Sequence, residues 1–417
     1  MKKLTKKSTI SFWKRILIFL AILGPGIITG SVDNDAGGIT TYSLAGANYG
    51  YNMLWTLIPA FIVLIIVQEM NSRMGISTGK GLAYLIRENA GVKLTFFLFL
   101  GLLIADIGNT TTEFAGIAGS MQIFGVSKYI AVPLSALAVW LLVVKGTYRM
   151  AEKIFLVMSV ALLSYVISAI AGKPDWTQIG YSIIHPQLKP DTPTLAMCIG
   201  IIGTTIAPWM LFYMQSAVIE KGLKMDDYGY TVMDIIVGSV CTVVVAFFII
   251  IACASTLNVN GVTILEAKDA AMALRPFAGN LASAVFGFGL FVASIFSATI
   301  LPLATAFYVC EAFGYEAGID KTWKEAPEFY NLYTTIILIA VGIILIPNAP
   351  LIKISFWSQI LNGLFLPVVL ICIMLLVNNK EVMGKYTNNV YINIIGWITI
   401  FILMCLSGFL IISNFIK

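Results

Sequence analysis

Long apolar runs alternate with short polar segments along the entire chain. A helix needs about 20 apolar residues to cross the hydrocarbon of a bilayer, and the pattern predicts eleven such spans. They lie near residues 12–48, 52–71, 94–123, 128–145, 152–171, 194–220, 231–256, 280–312, 330–347, 351–377 and 391–415. The first and third are long enough to tilt or to contain a break. The predicted fold class is an all-α polytopic membrane protein.

Two of these spans carry polar interruptions. The apolar run from Ile16 to Val32 leads directly into Asp33-Asn34-Asp35-Ala36-Gly37-Gly38, and apolar sequence resumes at Ile39. A charge at bilayer depth costs roughly 2.5–3.5 kcal/mol on insertion scales. A chain keeps it there when a cation binds, or when the segment borders water or another helix. Gly37 and Gly38 let the helix unwind and free carbonyl groups to act as ligands. The segment therefore predicts a cation site on a broken helix.

In span 194–220, Gly203-Thr204-Thr205 precedes Ala207-Pro208-Trp209. Pro208 has no N–H to bond one turn back, so carbonyls near 203–205 are left free. Taken alone, this pattern fits a simple proline kink. Its position changes the weighting, because interruptions five spans apart are the signature of two inverted five-helix repeats around a midplane site. That gives a single transporter domain with a tail at 1–15, repeats at 12–171 and 194–377 and an extra helix at 391–415, with spans 1 and 6 broken. The halves share no residue-level similarity, so the repeat rests on this topology.

Composition agrees. Of 417 residues, 59% are hydrophobic and only 11% are charged, with mean hydropathy +0.91, against about 25% charged in soluble domains. The net charge of +5 says little about partners, since Lys and Arg gather in loops on one side. Arg73, Lys80, Arg87, Lys145, Arg149, Lys153, Lys221, Lys224, Lys321, Lys324, Lys380 and Lys385 fall in loops of one set. The positive-inside rule makes these cytoplasmic, places the N-terminus inside and Lys417 outside. The basic N-terminus reads as a cytoplasmic tail rather than a signal peptide, and the compact loops suggest a bacterial plasma membrane. The six cysteines show no metal-like spacing and are expected to be packed thiols. No nucleophile–base pair, His/Cys cluster or phosphate loop is present. An enzyme is therefore not expected, nor a nucleic-acid partner. The expected partners are lipid and a small cation, handled by a monomeric transport unit.

The residues resemble the Nramp divalent-metal transporter family over spans 1 to 10. Gly24-Pro25-Gly26 matches its opening motif, and Asp35 stands where its Asp-Pro-Gly-Asn motif begins. Gln68, Gly75-Ile76-Ser77-Thr78-Gly79-Lys80, Glu113-Phe114-Ala115-Gly116, Ser358-Gln359 and Leu366-Pro367 resemble further family stretches in order and spacing. The resemblance implies a LeuT-type fold. It also implies that the backbone carbonyls of Val32 and Thr204 line the site.

The departures are informative. The motif reads Asp35-Ala36-Gly37-Gly38, so Gly38 replaces the family's metal-binding Asn. The family's Met-Pro-His reads Ala207-Pro208-Trp209, which removes the thioether ligand and the His associated with proton movement. The acidic position three before Glu113 is Thr110, and the one histidine, His185, falls in a loop. Together these resemble the Nramp-related magnesium transporter branch.

Thioether sulfur favours softer transition metals, while Mg²⁺ usually keeps several waters around one or two carboxylates. Asp35 is therefore expected as the principal ligand. Gly38 and Ala207 are expected to widen the site, and Asp33 and Asn34 to act through water or in an outer vestibule. Thr204 and Thr205 are expected either to orient waters or to bond back to their own helix. Gln359 and Asn362 are candidates for lining the cavity or for interhelical packing. Asp106 and Glu113 share a face of span 3, where a proton relay is conceivable and a structural or hydration role for Glu113 is favoured. Asp234, Glu69 and Glu311 are expected near solvated span ends.

The expected function is import of divalent cations, Mg²⁺ first and Mn²⁺ also, partly hydrated, by alternating access without proton coupling. The metal is substrate, and no resident cofactor is expected. The alternatives are a proton-coupled Mn²⁺/Fe²⁺ importer or a sodium-coupled small-solute carrier of the same architecture.

Overall fold

Every regular element is helical in the computed structural model, which describes residues 29–30, 32–145, 163–187, 191–265, 267–274, 279–319 and 321–415. The chain runs as α1 (Ala36–Tyr49), a 3₁₀ segment (Gly50–Thr56), α2 (Leu57–Thr78), α3 (Leu82–Ile123) and α4 (Lys128–Val144). Short helices α5 (Leu163–Ala171) and α6 (Trp176–Ile184) lead to α7 (Thr192–Thr205) and α8 (Pro208–Glu220). Then come α9 (Tyr228–Cys253), α10 (Ala282–Phe313), α11 (Pro327–Leu345), α12 (Leu351–Asn378) and α13 (Val390–Phe415).

Among the described residues eight helical stretches are long and apolar enough to cross a membrane, and α4 is a shorter apolar helix. The difference from eleven has three sources. Residues 12–28 of the first predicted span lie outside the described residues, as do residues 152–162 of the fifth. The 3₁₀ segment also joins α1 to α2, so Ala36–Thr78 forms one continuous stretch. Finally, α4 has 17 residues, just under a full crossing. The third span, 94–123, runs as unbroken helix, and an interruption lies just before it. Its helix begins at Leu82 rather than near 94 and is interrupted at Gly91 (φ 78°, ψ 164°), a conformation that only glycine adopts without strain.

Both midchain interruptions are real breaks. Residues 29–30 and Val32 are helical, 33–35 are not, and the helix restarts at Ala36. The helix α7 stops at Thr205, the backbone turns at Ile206 (φ −131°, ψ 65°), and α8 begins at Pro208. The simple kink is therefore excluded.

These breaks coincide with a seam in the apolar interior. One cluster of buried side chains holds Val32, Ile206 and Ala207 with residues of α2, α3, α8, α10, α11 and α12. A second holds Ala36, Ile39, Tyr42, Met197, Cys198 and Ile201 with residues of α9. The chain crosses from one cluster to the other at residues 33–35 and again near 202–206. A fully hydrophobic helix would simply continue; polar residues at the seam let it stop. The α7–α8 span is the most enclosed, with 94% of its apolar stretch buried, against 22% for α13. Lipid is thus left to contact α13 side chains such as Phe401 (69% exposed).

Glycines set the closest approaches. A methyl group on Gly203 of α7 would overlap the Gln359 carbonyl and the Gly363 amide of α12, and one on Gly363 would sit 2.5 Å from the Ile199 carbonyl. These are backbone atoms, which cannot swing aside, so α7 and α12 touch only because both lack a Cβ there. The close packing of small residues is a main source of helix association in lipid. Gly203→Ala is therefore expected to destabilise the protein by about 1–3 kcal/mol, the usual cost of overpacking. A lowered unfolding temperature in detergent, followed by fluorescence-detected gel filtration, would show it; an unchanged melting profile would mean that α7 and α12 can separate freely.

Candidate cation site at two helix breaks

Asp35 is the residue at which the chain restarts as helix. Its backbone is extended (φ −74°, ψ −175°), and its Oδ1 accepts the Gly38 N–H at 2.6 Å. That is an N-cap, favoured because the first turn of a helix has unpaired N–H groups. A second carboxylate reaches the same turn. Glu113 of α3 accepts the Ala36 N–H at 3.3 Å and lies within hydrogen-bonding reach of Asp35. Glu113 thus ties α3 to the start of α1, in line with a structural role, while its Oε1 has no partner.

Asp33 is 2% exposed, and both of its carboxylate oxygens lack a hydrogen-bond partner among the described residues. The interhelical bond or salt bridge that would have explained it is not found there. Asn34 donates from Nδ2 to the Gly30 carbonyl at 3.4 Å and leaves its Oδ1 unpartnered. Both residues are buried rather than in an outer vestibule. Thr110 Oγ1, one turn before Glu113, is also unpartnered. Buried polar atoms are nearly always paired, and an unpaired one calls for water or an ion. Here several oxygens without partners gather at one interruption, with two carboxylates close enough to repel each other.

The second break is brought against the first. The Tyr42 hydroxyl, on α1, is 2.9 Å from Thr205 Oγ1 on α7. Thr205 also donates back to the Ile201 carbonyl at 2.7 Å, which decides its case in favour of bonding to its own helix. Thr204 Oγ1 lies 3.4 Å from the point where a side chain on Gly38 would begin. With Pro208 unable to donate, the Thr204 carbonyl loses its usual partner, and the C-terminal end of α7 presents partial negative charge here.

One expectation about the site needs correction. Gly38 does not widen the site. A Cβ there would stand 2.6 Å from the Asp33 carbonyl, because the turn folds Asp33 back onto Gly38. The Val32 carbonyl accepts from Ser297 Oγ of α10 at 3.4 Å, which leaves its second lone pair for another partner. Three further carboxylates lie deeper or are better held than expected at span ends. Asp234 is fully buried. Glu69 is paired with Arg73 at 2.8 Å and accepts from the Tyr228 hydroxyl. Glu311 accepts from Ser216 Oγ at 2.9 Å.

Asn362 takes up interhelical packing, and Gln359 is joined to it. Asn362 Nδ2 donates to Gln359 Oε1 at 3.0 Å and to Asn109 Oδ1 at 2.9 Å, while Gln359 Nε2 lies against Gly37. Ala207 is 3% exposed and belongs to the apolar cluster. Three participants were missed: Tyr42, Asn109 and Ser297. A signal existed for two of them. Tyr42 follows Asp35 and Gly38 at helical spacing, and Asn109 shares a face with Asp106 and Glu113. Ser297 is a hydroxyl in an apolar run and stands out only once α10 is docked.

A cavity of about 360 Å³ leads toward this region, lined by Thr40, Gly116 and Ser355 and, at its other end, by Lys128 and Asn348. Gly116 forms its floor; a methyl there would be 2.5 Å from the Ala36 Cβ. On the opposite side Arg73 binds the Tyr386 carbonyl and Asn388, and Gln215 binds the Lys80 carbonyl, so α2 and α8 are tied to neighbouring loops. Among the described residues no group of three or more His, Cys, Asp or Glu side chains is gathered as in a resident metal centre. The arrangement instead gathers carboxylates, carbonyls and hydroxyls, all of them oxygen donors.

The chain matches the model of the Nramp family, described as natural resistance-associated macrophage protein-like, over residues 26–413. It is 27% identical over 405 residues to a divalent metal cation transporter, MntH, of Yersinia pestis (strain Pestoides F), covering 95% of this chain and 96% of that one. Among solved structures it is similar to the manganese transporter of Eremococcus coleocola, with TM-score 0.77, 21% identity, and 95% and 86% of the two chains covered. A more distant likeness is to MhsT in complex with L-phenylalanine, with TM-score 0.60, 15% identity, and 93% and 98% covered. The two structural likenesses bear on the fold, which is of the LeuT type.

The Gly38 geometry gives a direct check. Gly38→Asn, which restores the family's side chain, is expected to lower the unfolding temperature, since its Cβ cannot clear the Asp33 carbonyl. A variant as stable as the parent would mean that the turn at 33–35 yields easily.

Proposed function

The chain belongs to the Nramp family of divalent metal cation transporters, and from that premise we propose that it imports hard divalent cations through an oxygen-only site centred on Asp35. The observation that carries this reading is the Asp33 carboxylate, buried without a partner two residues from Asp35 and facing no Lys or Arg among the described residues. Two adjacent carboxylates in a membrane interior are costly until a doubly charged ion joins them. Asp35 is proposed as the principal ligand, direct or through water. Asp33, the Thr204 carbonyl and the Val32 carbonyl are proposed as further oxygen donors around it. Ser297 would then share the Val32 carbonyl.

The names of the relatives, a divalent metal cation transporter and a manganese transporter, support Mn²⁺, the ion of the alternative reading, better than a preference for Mg²⁺. The side chains of this chain support admission of Mg²⁺ beside it. Ala207 supplies no sulfur, and oxygen donors alone discriminate weakly between these two hard ions. Trp209 and Thr110 occupy positions where the family resemblance places a proton-handling His and an acid, which supports flux without an obligatory proton. The transmembrane potential alone favours entry of a divalent cation by about 4.6 kcal/mol per 100 mV, twice the single-charge value. The cavity ending at Lys128 and Asn348 would face outward, with the cytoplasmic side closed by the Arg73 and Gln215 contacts. Alternating access would exchange these two conditions.

Uptake by purified protein in liposomes tests the reading. Asp35→Ala is expected to abolish saturable Mn²⁺ and Mg²⁺ uptake in folded protein; normal uptake would remove the assignment. Ala207→Met is expected to raise the preference for Cd²⁺ over Mg²⁺ by introducing a soft donor, and an unchanged Cd²⁺/Mg²⁺ ratio would place residue 207 away from the ion. A pH-sensitive dye inside the liposomes reads coupling: acidification driven by Mn²⁺ would replace the uncoupled reading with proton-coupled import.

A further inference from the structure

The geometry points to Asp106 as a positioning residue that fixes which end of the Gln359 amide faces the cation site. This inference rests on the site at Asp35 proposed above. Asp106 of α3 is 2% exposed and takes no part in the site itself. Its Oδ2 accepts from the Tyr308 hydroxyl at 2.6 Å and from Thr305 Oγ1 at 2.9 Å, and its Oδ1 accepts from Asn109 Nδ2 at 2.9 Å. Surrounded by three donors, the carboxylate acts only as an acceptor.

That constraint propagates. Asn109 must turn its NH₂ toward Asp106, so its carbonyl oxygen points the other way, where it accepts from Ser358 Oγ at 2.8 Å and from Asn362 Nδ2 at 2.9 Å. Asn109 Nδ2 in turn donates to Asn362 Oδ1 at 3.0 Å, which closes a reciprocal amide pair. With its oxygen so engaged, Asn362 has only its NH₂ to offer Gln359, and it donates to Gln359 Oε1 at 3.0 Å. Gln359 is left with its own NH₂ toward the break. There it lies against Gly37, and Asp35 Oδ1 is 3.1 Å from the point where a Gly37 side chain would begin.

Reversing any one amide would set two acceptors or two NH₂ groups against each other, so the chain has one polarity, set at its far end by the Asp106 carboxylate. Gln359 therefore presents a donor, which serves the Asp35 carboxylate or the oxygen of a water on the ion, and withholds its carbonyl from direct coordination. The residue so controlled is a specificity element. A donor at this place favours an ion that keeps its water, and a carbonyl there would favour one that sheds it.

The test is a double-mutant cycle on uptake, which isolates the coupling between two residues. Asp106→Asn is nearly isosteric but no longer dictates the direction. It is expected to raise KM for Mn²⁺ about fivefold while changing the maximal rate less than about twofold, since only ion binding is affected. In a Gln359→Ala background the same substitution is expected to leave KM unchanged, because the relay then ends on nothing. An Asp106 that merely bolts α3 to α10 would give equal effects in both backgrounds, and that outcome overturns the proposal, as does an unaltered KM in the single variant. If Asp106→Asn does not fold, Asn362→Ala cuts the relay nearer the site, leaves Asp106 all three donors, and must show the same dependence on Gln359. Loss of uptake in Asp35→Ala together with equal shifts in both backgrounds would reject the relay alone. Saturable uptake surviving in Asp35→Ala would reject the site beneath it.

Discussion

Negative charge at a helix break, enclosed by apolar side chains, is the constraint around which the molecule is arranged. Asp33 and Asp35 lie where the chain passes from one apolar cluster to the other. A carboxylate in such a place demands hydrogen bonds, a counter-charge or water. The protein meets the demand for Asp35 with the Gly38 N–H, while Asp33 finds no partner among the described residues. That asymmetry explains why the surrounding helices are so polar on their inner faces. Asp106, Asn109, Thr110, Glu113, Thr204, Thr205, Gln359 and Asn362 are all buried, and most would be poor choices for a helix that only had to pack.

The breaks and the glycines are two aspects of the same solution. An unwound segment exposes backbone carbonyls and N–H groups, which lipid cannot satisfy, so it must be enclosed by other helices. Enclosure at close range requires residues without side chains. Gly37 admits Gln359, Gly38 admits the Asp33 carbonyl, and Gly203 and Gly363 let α7 and α12 meet at the backbone. The same close packing fixes α7 against α12, and α12 carries Asn362 and Gln359 of the amide chain that begins at Asp106 on α3.

Membership of the Nramp family and the altered ligand positions are compatible once the site is seen as a set of oxygen donors rather than a fixed motif. The loss of an amide at Gly38 and of sulfur at Ala207 does not leave an empty pocket. The chain has closed over the first position, and an apolar cluster surrounds the second. What remains near Asp35 is a second carboxylate, Asp33, and a third acid, Glu113, held at the helix start. The oxygens gathered at the break are thus mostly those of acids.

The sequence by itself determined the fold class, the two broken spans and the place of Asp35 at the first break, because each of these is local. Twenty apolar residues, a proline without an N–H and an acid in front of two glycines have the same consequence wherever the helix is placed. It also carried the family, through motifs that keep their order and spacing. Tertiary structure alone decided what depends on contact between distant segments. That Gly38 is filled rather than open follows from the turn folding Asp33 back on it, and that Val32 is shared with Ser297 follows from how α10 docks. Asp106 and Glu113 share a face of one helix, yet the first is held by Tyr308 and Thr305 while the second reaches α1. Periodicity can place residues on a common face, but the partner of each is set by which helix lies opposite, and in a membrane that choice rests on close packing that no single span encodes.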